Sequence, residues 1–122
     1  MERTFDNVFE ATLVVKGSSK VLTNDILLIE HIKKSAKAGK MTLKNLNVDY
    51  LHAHSGNRKI PSYSIVLIVE ESHIAIYTYP EKNTAHINIA TCSSQKSLNA
   101  IIKYFKKVFE VKSENDMKII NI

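Results

Sequence analysis

Two neighbouring stretches alternate between apolar and polar residues with a period of two. After Ser72, the odd positions are His73, Ala75, Tyr77 and Tyr79, and the even positions are Ile74, Ile76 and Thr78. From Ala85 onward, Ala85, Ile87, Ile89 and Thr91 alternate with His86, Asn88, Ala90 and Cys92. Side chains point to opposite faces of a strand, so each stretch predicts a β-strand with one isoleucine face and one face bearing His, Tyr, Asn and Cys. Pro80 to Asn83 supplies the turn between them, and Glu70-Glu71 the turn before them. Ser64 to Val69 (SIVLIV) is a continuous β-branched run, expected to be buried on both faces or nearly so.

The rest of the chain is read in the same way. Phe9 to Lys16 (FEATLVVK) predicts a first strand, broken by Gly17-Ser18-Ser19. Thr23 or Asn24 offers an N-cap and Asp25 a first-turn carboxylate, and the stripe of Ile26, Leu28, Ile29 and Ile32 makes a helix that Gly39 stops. Thr42 to Leu51 predicts a less regular strand. The Gly-, Pro- and Ser-rich HAHSGNRKIPSYS that follows predicts the main loop. Ser93 or Ser94 caps a second helix, whose apolar stripe is Leu98, Ile101, Ile102, Phe105, Val108 and Phe109. Met117 to Ile122 (MKIINI) reads as an edge strand.

The resulting order, β-α-β-β-β-β-α-β, predicts an α+β, two-layer sandwich, a mainly antiparallel sheet with two helices on one face. The helices should cover the isoleucine face and leave the His/Tyr/Cys face open. An uncovered, partly apolar sheet face is best covered by its own copy, so a two-fold homodimer is expected.

Composition narrows the function class. The chain of 122 residues, 44% hydrophobic and 24% charged, suits one globular domain. No apolar run approaches the ~20 residues that span a bilayer. The N-terminus MERTFDNVFEA carries acids and no hydrophobic core, so a secretory signal is not expected. A single cysteine cannot form an internal disulfide, which points to the cytoplasm. The net charge of +5 comes from lysines scattered over the helices, with no interleaved aromatics, so nucleic acid is not an expected partner. The histidines and Cys92 show no zinc spacing, and no metal is expected.

The turn at Glu71-Ser72 and the residues of the open face carry the candidate chemistry. A serine hydroxyl is a weak nucleophile until it is oriented and relieved of its proton. In a strained turn, Ser72 could attack the carbonyl of Glu71; taken alone, the same serine could simply end a hairpin turn. Cys92 could give and regain a proton near neutral pH or serve as a small buried hydrophobe. His73 could act in catalysis or bond the turn backbone.

The runs Glu71-Ser72-His73, Thr78-Tyr79-Pro80-Glu81 and Thr91-Cys92 resemble, at matching spacing, the signature of the small prokaryotic S-adenosylmethionine decarboxylase proenzymes. The resemblance implies a homodimeric sandwich that cuts itself between Glu71 and Ser72 and turns Ser72 into a pyruvoyl group. That ketone forms a Schiff base with an amine substrate and acts as an electron sink for decarboxylation, here in polyamine (spermidine) biosynthesis. It further implies that Ser64 assists self-processing and that Cys92 returns a proton to the substrate carbon. By the same resemblance Tyr79 stacks on adenine, Glu81 contacts ligand, and His54 is the nearest candidate for a second stacking wall.

The chain also departs from the family. Tyr77 stands where these proenzymes normally have a histidine that takes part in self-cleavage. A phenol, with an ordinary pKa of ~10, is a poor base at neutral pH. Ser62 replaces a glycine and Asn88 a common aspartate. Two alternatives therefore stand beside S-adenosylmethionine. One is a pyruvoyl-dependent arginine or ornithine decarboxylase, and the other an uncleaved, inactive homologue that serves as a binding or regulatory subunit.

Overall fold

The computed structural model describes residues 8–121. The leading acid-bearing segment 1–7 and the last residue of the expected edge strand, Ile122, lie outside the described residues. Six strands form one sheet: β1 (Phe9–Lys16), β2 (Leu43–Ser55), β3 (Arg58–Val69), β4 (Ser72–Tyr79), β5 (Thr84–Thr91) and β6 (Met117–Asn121). They lie in the order β2-β3-β4-β5-β1-β6, with every neighbouring pair antiparallel. Three helices accompany them: the four-residue α1 (Ser19–Leu22), α2 (Asp25–Ala38) and α3 (Gln95–Val108). Among the described residues no helix is long and apolar enough to cross a membrane.

The topology explains why α2 and α3 share a face. Alternating directions along the sheet make β1 parallel to β2, and β5 parallel to β6, so each helix bridges a parallel crossover. Such crossovers are right-handed. The two run oppositely along the sheet from strands of opposite direction, which puts both helices on one side. There Ile74, Ile76, Ile87 and Ile89 are fully buried with Leu28 and Ile32 of α2 and Leu98, Ile101 and Phe105 of α3. The other face carries Ser64, His73, Tyr77, His86 and Asn88, all half-buried.

Both long helices begin as the sequence predicts. The Asn24 side chain accepts the Leu27 N–H at 3.1 Å and Ser94 Oγ accepts the Ser97 N–H at 3.0 Å. Between the helices, His31 Nδ1 lies 3.1 Å from the Tyr104 hydroxyl, and burial holds the His31 imidazole below its usual pKa.

The stop of α2 is not what was expected of Gly39. Gly39 is the C-cap, with φ −82°, and the left-handed residue is Lys40, with φ 57°. The N–H groups of Met41 and Lys40 close back on Ala36 and Lys37, a Schellman ending. Glu110, φ 54°, plays the same part after α3, with Val111 on Lys106 and Glu110 on Lys107. Gly39 is needed for a close approach instead: a Cβ there would sit 2.7 Å from Ile101 Cγ1.

Two further expectations change. Residues 52–64 are not a loop: β2 runs on to Ser55 and β3 begins at Arg58, joined by the two-residue turn Gly56-Asn57 with Gly56 at φ 62°. Pro61 fits because it pairs with His52 of β2 at a point where β3 has run past β4, whose pairing starts at Ser64, so no second ladder asks for its N–H. Nor is β3 buried on both faces. Ile65, Leu67 and Val69 face the helices, whereas Ile68 on the open face is 39% exposed.

Gly39→Ala should destabilise the protein by about 1–3 kcal/mol through overpacking against Ile101. Lys40→Gly should stabilise it by about 0.5–1 kcal/mol by relieving a left-handed Cβ. Paired denaturant titrations check both, and opposite signs at adjacent positions are the expected result.

Candidate active site

The turn Glu70-Glu71 joins β3 to β4, whose ends pair through Val69 and Ser72. It is fastened on both sides. The Glu70 N–H donates to the Thr42 carbonyl at 2.9 Å, and the Thr42 N–H donates to Glu71 Oε1 at 3.1 Å. The Glu71 carbonyl accepts the Cys92 N–H at 3.0 Å. Ser72 follows with φ 155°, a value that residues with a Cβ rarely adopt. The Glu71 carbonyl oxygen thus rests on a fixed N–H donor, next to a serine in a sparsely populated backbone conformation.

His73 lies on the same end of the open face. Its Nε2 is 2.7 Å from Asn88 Oδ1, while Asn88 Nδ2 donates to Thr12 Oγ1 at 3.0 Å. With the amide nitrogen used on Thr12, the amide oxygen is left as acceptor. That places the His73 proton on Nε2 and makes Nδ1 its free acceptor. Cys92, 8% exposed, follows the end of β5, where Thr91 pairs with Ser72.

A second group gathers at the other end of β4. Ser64 pairs directly with Tyr77, and Tyr77 directly with His86. The Tyr79 and His86 rings lie 4.7 Å apart. Ser64, Tyr77, Tyr79 and Glu81 line one cavity of about 330 Å³, at the small end of the roughly 300–1,000 Å³ usual for ligand pockets. Clefts of about 730 and 570 Å³ lie around Lys106–Ile119 and between Lys16 and Phe109, the second reaching Lys82 and Thr84 just beyond Glu81. Thr78 closes the cavity from within: Tyr63 N–H, one step past the end of the β3–β4 ladder, donates to Thr78 Oγ1 at 2.8 Å. Burial pushes the Tyr63 phenol above its usual pKa, with Asp25 and Tyr50 adding to it.

The structure thus brings Ser72, His73 and Cys92 together, and separately Ser64, Tyr77, Tyr79 and Glu81. It does not bring the two groups together within one chain. Ser72 and Tyr77 are five strand residues apart, about 17 Å at the usual rise. His54 does not join either group. It pairs with Lys59, on the face of the β2–β3 ribbon shared with Tyr50 and Tyr63, and the wall facing Tyr79 is built instead by Leu51 and Ala53. Thr42, which pins the turn from 29 residues away, has no signature in the sequence at all. Among the described residues no three His, Cys, Asp or Glu side chains stand close enough to hold a metal ion.

The family model described as S-adenosylmethionine decarboxylase matches residues 14–120. An S-adenosylmethionine decarboxylase proenzyme of Sulfolobus acidocaldarius is 32% identical over 106 residues, covering 87% of this chain and 75% of the relative. Proenzymes of the same name from Sulfurisphaera tokodaii and Thermococcus gammatolerans are 36% and 30% identical. They match over 66% and 76% of this chain and 63% and 60% of their own lengths. The crystal structure of the adenosylmethionine decarboxylase from Aquifex aeolicus VF5 superposes with a TM-score of 0.75. It does so at 15% identity, over 94% of this chain and 88% of that one, a likeness of fold.

Thr78→Val keeps the side-chain volume but removes the acceptor of the buried Tyr63 N–H. It should lower stability by about 1–3 kcal/mol, seen as a reduced denaturant midpoint at unchanged slope.

Proposed function

The chain belongs to the S-adenosylmethionine decarboxylase family, and on that premise we propose that it is a pyruvoyl-dependent S-adenosylmethionine decarboxylase of polyamine biosynthesis, made as a proenzyme that cuts itself between Glu71 and Ser72. The observation that carries the reading is the Cys92 N–H on the Glu71 carbonyl, beside a serine of φ 155°. Ser72 Oγ attacks the Glu71 carbonyl carbon, and the oxygen that gains charge already has its donor. Removing one such donor typically costs about 2.7–4 kcal/mol of transition-state stabilisation. The C–N bond breaks, the acyl group moves from nitrogen to oxygen, and the backbone strain at Ser72 is released. Loss of the Ser72 α-proton expels the Glu71 carboxylate. Hydrolysis of the remaining dehydroalanine, with loss of ammonia, leaves a ketone.

That group fits the residues around it, since it forms at a half-buried strand end beside Cys92 and His73. Bound to substrate it supplies the electron sink for decarboxylation. The Cys92 thiol holds the proton returned to the substrate carbon, and His73, anchored through Nε2, presents Nδ1 to the same space. Tyr79 and Leu51 offer the two walls of the 330 Å³ cavity for an adenine, with Glu81 at its rim.

The two half-sites account for an assembly. A two-fold axis near the middle of β4, relating two open faces, lays the Ser72 end of one copy against the Ser64–Tyr77 end of the other. Face-to-face sheets stand about 10 Å apart, within side-chain reach. The active unit is therefore a homodimer, and the exposed Ile68 lies in its interface. A reducing compartment such as the cytoplasm suits the lone thiol.

On purification the chain should give two masses, 1–71 and 72–122, the second blocked at its N-terminus and trapped by hydrazines. Ser72→Ala should leave it whole. Cys92→Ala keeps the backbone N–H and loses the thiol, so it should still cleave while decarboxylation of S-adenosylmethionine falls about 10²–10⁴-fold. Turnover of arginine or ornithine in its place would move the substrate assignment, and an indefinitely whole wild-type chain would leave only a binding or regulatory role.

A further inference from the structure

The five histidines of the chain stand in quite different surroundings. His31 lies between the helices on Tyr104. His73 is held by Asn88 at the Ser72 end of the sheet. His52 and His54 pair with Pro61 and Lys59 across the β2–β3 ribbon, on the row parity of Tyr50 and Tyr63, and His52 reaches the lining of the 330 Å³ cavity without standing in the Ser64–Tyr77 row. His86 is the remaining one. It is half-buried on the open face, directly opposite Tyr77 on β4 and Val14 on β1.

Tyr77 is in turn directly opposite Ser64 on β3. Ser64, Tyr77 and His86 therefore form one row straight across three adjacent strands. Directly opposed side chains have Cβ atoms about 4.5–5.5 Å apart. The Tyr79 ring, 4.7 Å from that of His86, fixes the imidazole from the side of the cavity. Nothing in the proposed chemistry so far uses this imidazole.

The elimination step needs it. A phenol is in general a poor base at neutral pH, so of the row's side chains the imidazole is the one suited to accept the Ser72 α-proton. A neutral imidazole has that capacity, being the side chain whose ordinary titration falls between pH 5 and 8. We propose that His86, set in the row Ser64–Tyr77–His86, is the proton acceptor for the elimination that completes self-processing; this rests on the proenzyme reading above. The α-C–H bond of the partner's Ser72 breaks and its proton goes to the imidazole. The released electron pair forms Cα=Cβ, the Cβ–Oγ bond breaks, and the Glu71 carboxylate departs as the new C-terminus. The imidazolium returns its proton as the enamine becomes an imine, which takes up water and loses ammonia. Ser64 and Tyr77 hold the ester in place between the strands.

The test follows the full-length chain at neutral pH by intact mass, with and without hydroxylamine, which splits esters but not ordinary peptide bonds. Wild type should yield 1–71 and a blocked 72–122 without help. His86→Ala should form the blocked fragment at least 10²-fold more slowly, the low end of general-base contributions. Meanwhile it should accumulate whole-mass chain that hydroxylamine splits at Glu71–Ser72. Adding Tyr77→His to His86→Ala, which returns an imidazole one strand away, should restore spontaneous maturation, a rescue that an unfolded variant could not show. Maturation of His86→Ala at the wild-type rate overturns the proposal. So does a stalled His86→Ala chain that hydroxylamine leaves whole, or a loss that falls on His52→Ala instead. A wild-type chain that never splits, even with hydroxylamine, overturns the proenzyme reading itself and is recognised by that.

Discussion

The period-two alternation of β4 and β5 is the constraint on which the rest of this molecule depends. It places four fully buried isoleucines under two helices and, by the same geometry, leaves histidine, tyrosine and asparagine on the reverse side. A slip of one residue in either strand would bury polar groups under α2 and α3 and expose the isoleucines, so register is strongly fixed. Burying those isoleucines at roughly 1.5–3 kcal/mol each relative to exposure gives the register its energetic weight. Site geometry is thus a by-product of core packing: the rows Ser72–Thr91 and Ser64–Tyr77–His86 are as firmly aligned as the hydrophobic pairs between them.

Much of this was legible in the residues because it is local. Asn24 and Ser94 announce helix starts by short side chains that satisfy nearby N–H groups, and the stripes of α2 and α3 announce which sides are buried, except that Ile26, expected in the α2 stripe, faces solvent. The misreadings share a cause. Gly, Pro and Ser between residues 55 and 62 look like loop, yet Gly56-Asn57 alone makes the turn. Pro61 is tolerated because one edge of β3 is unpaired there. The misplacement of His54 follows from that error, since a strand four residues longer than expected decides which face each side chain occupies. Gly39 reads as a backbone stop, yet its role is steric, set by Ile101 some sixty residues away in sequence.

What could not be read at all is long-range. Thr42 on Glu71, Cys92 N–H on the Glu71 carbonyl, and Thr78 on Tyr63 are contacts between segments that only the folded sheet makes neighbours. Family spacing pointed to Ser64 and Ser72 as partners in one process, but spacing holds no distances. The structure puts Ser64 beside Tyr77, at the far end of β4 from Ser72, and this separation is what makes a second copy necessary to the proposed chemistry.

The sheet order β2-β3-β4-β5-β1-β6 has one more consequence. Division after Glu71 would assign β1, β2 and β3 to one piece and β4, β5 and β6 to the other, with β1 gripped between two strands of its counterpart. The pieces are interlaced like the fingers of clasped hands. Each piece would lack strands that complete its share of the sheet, so the proposed scission would have to follow folding, and its products would separate only by unfolding.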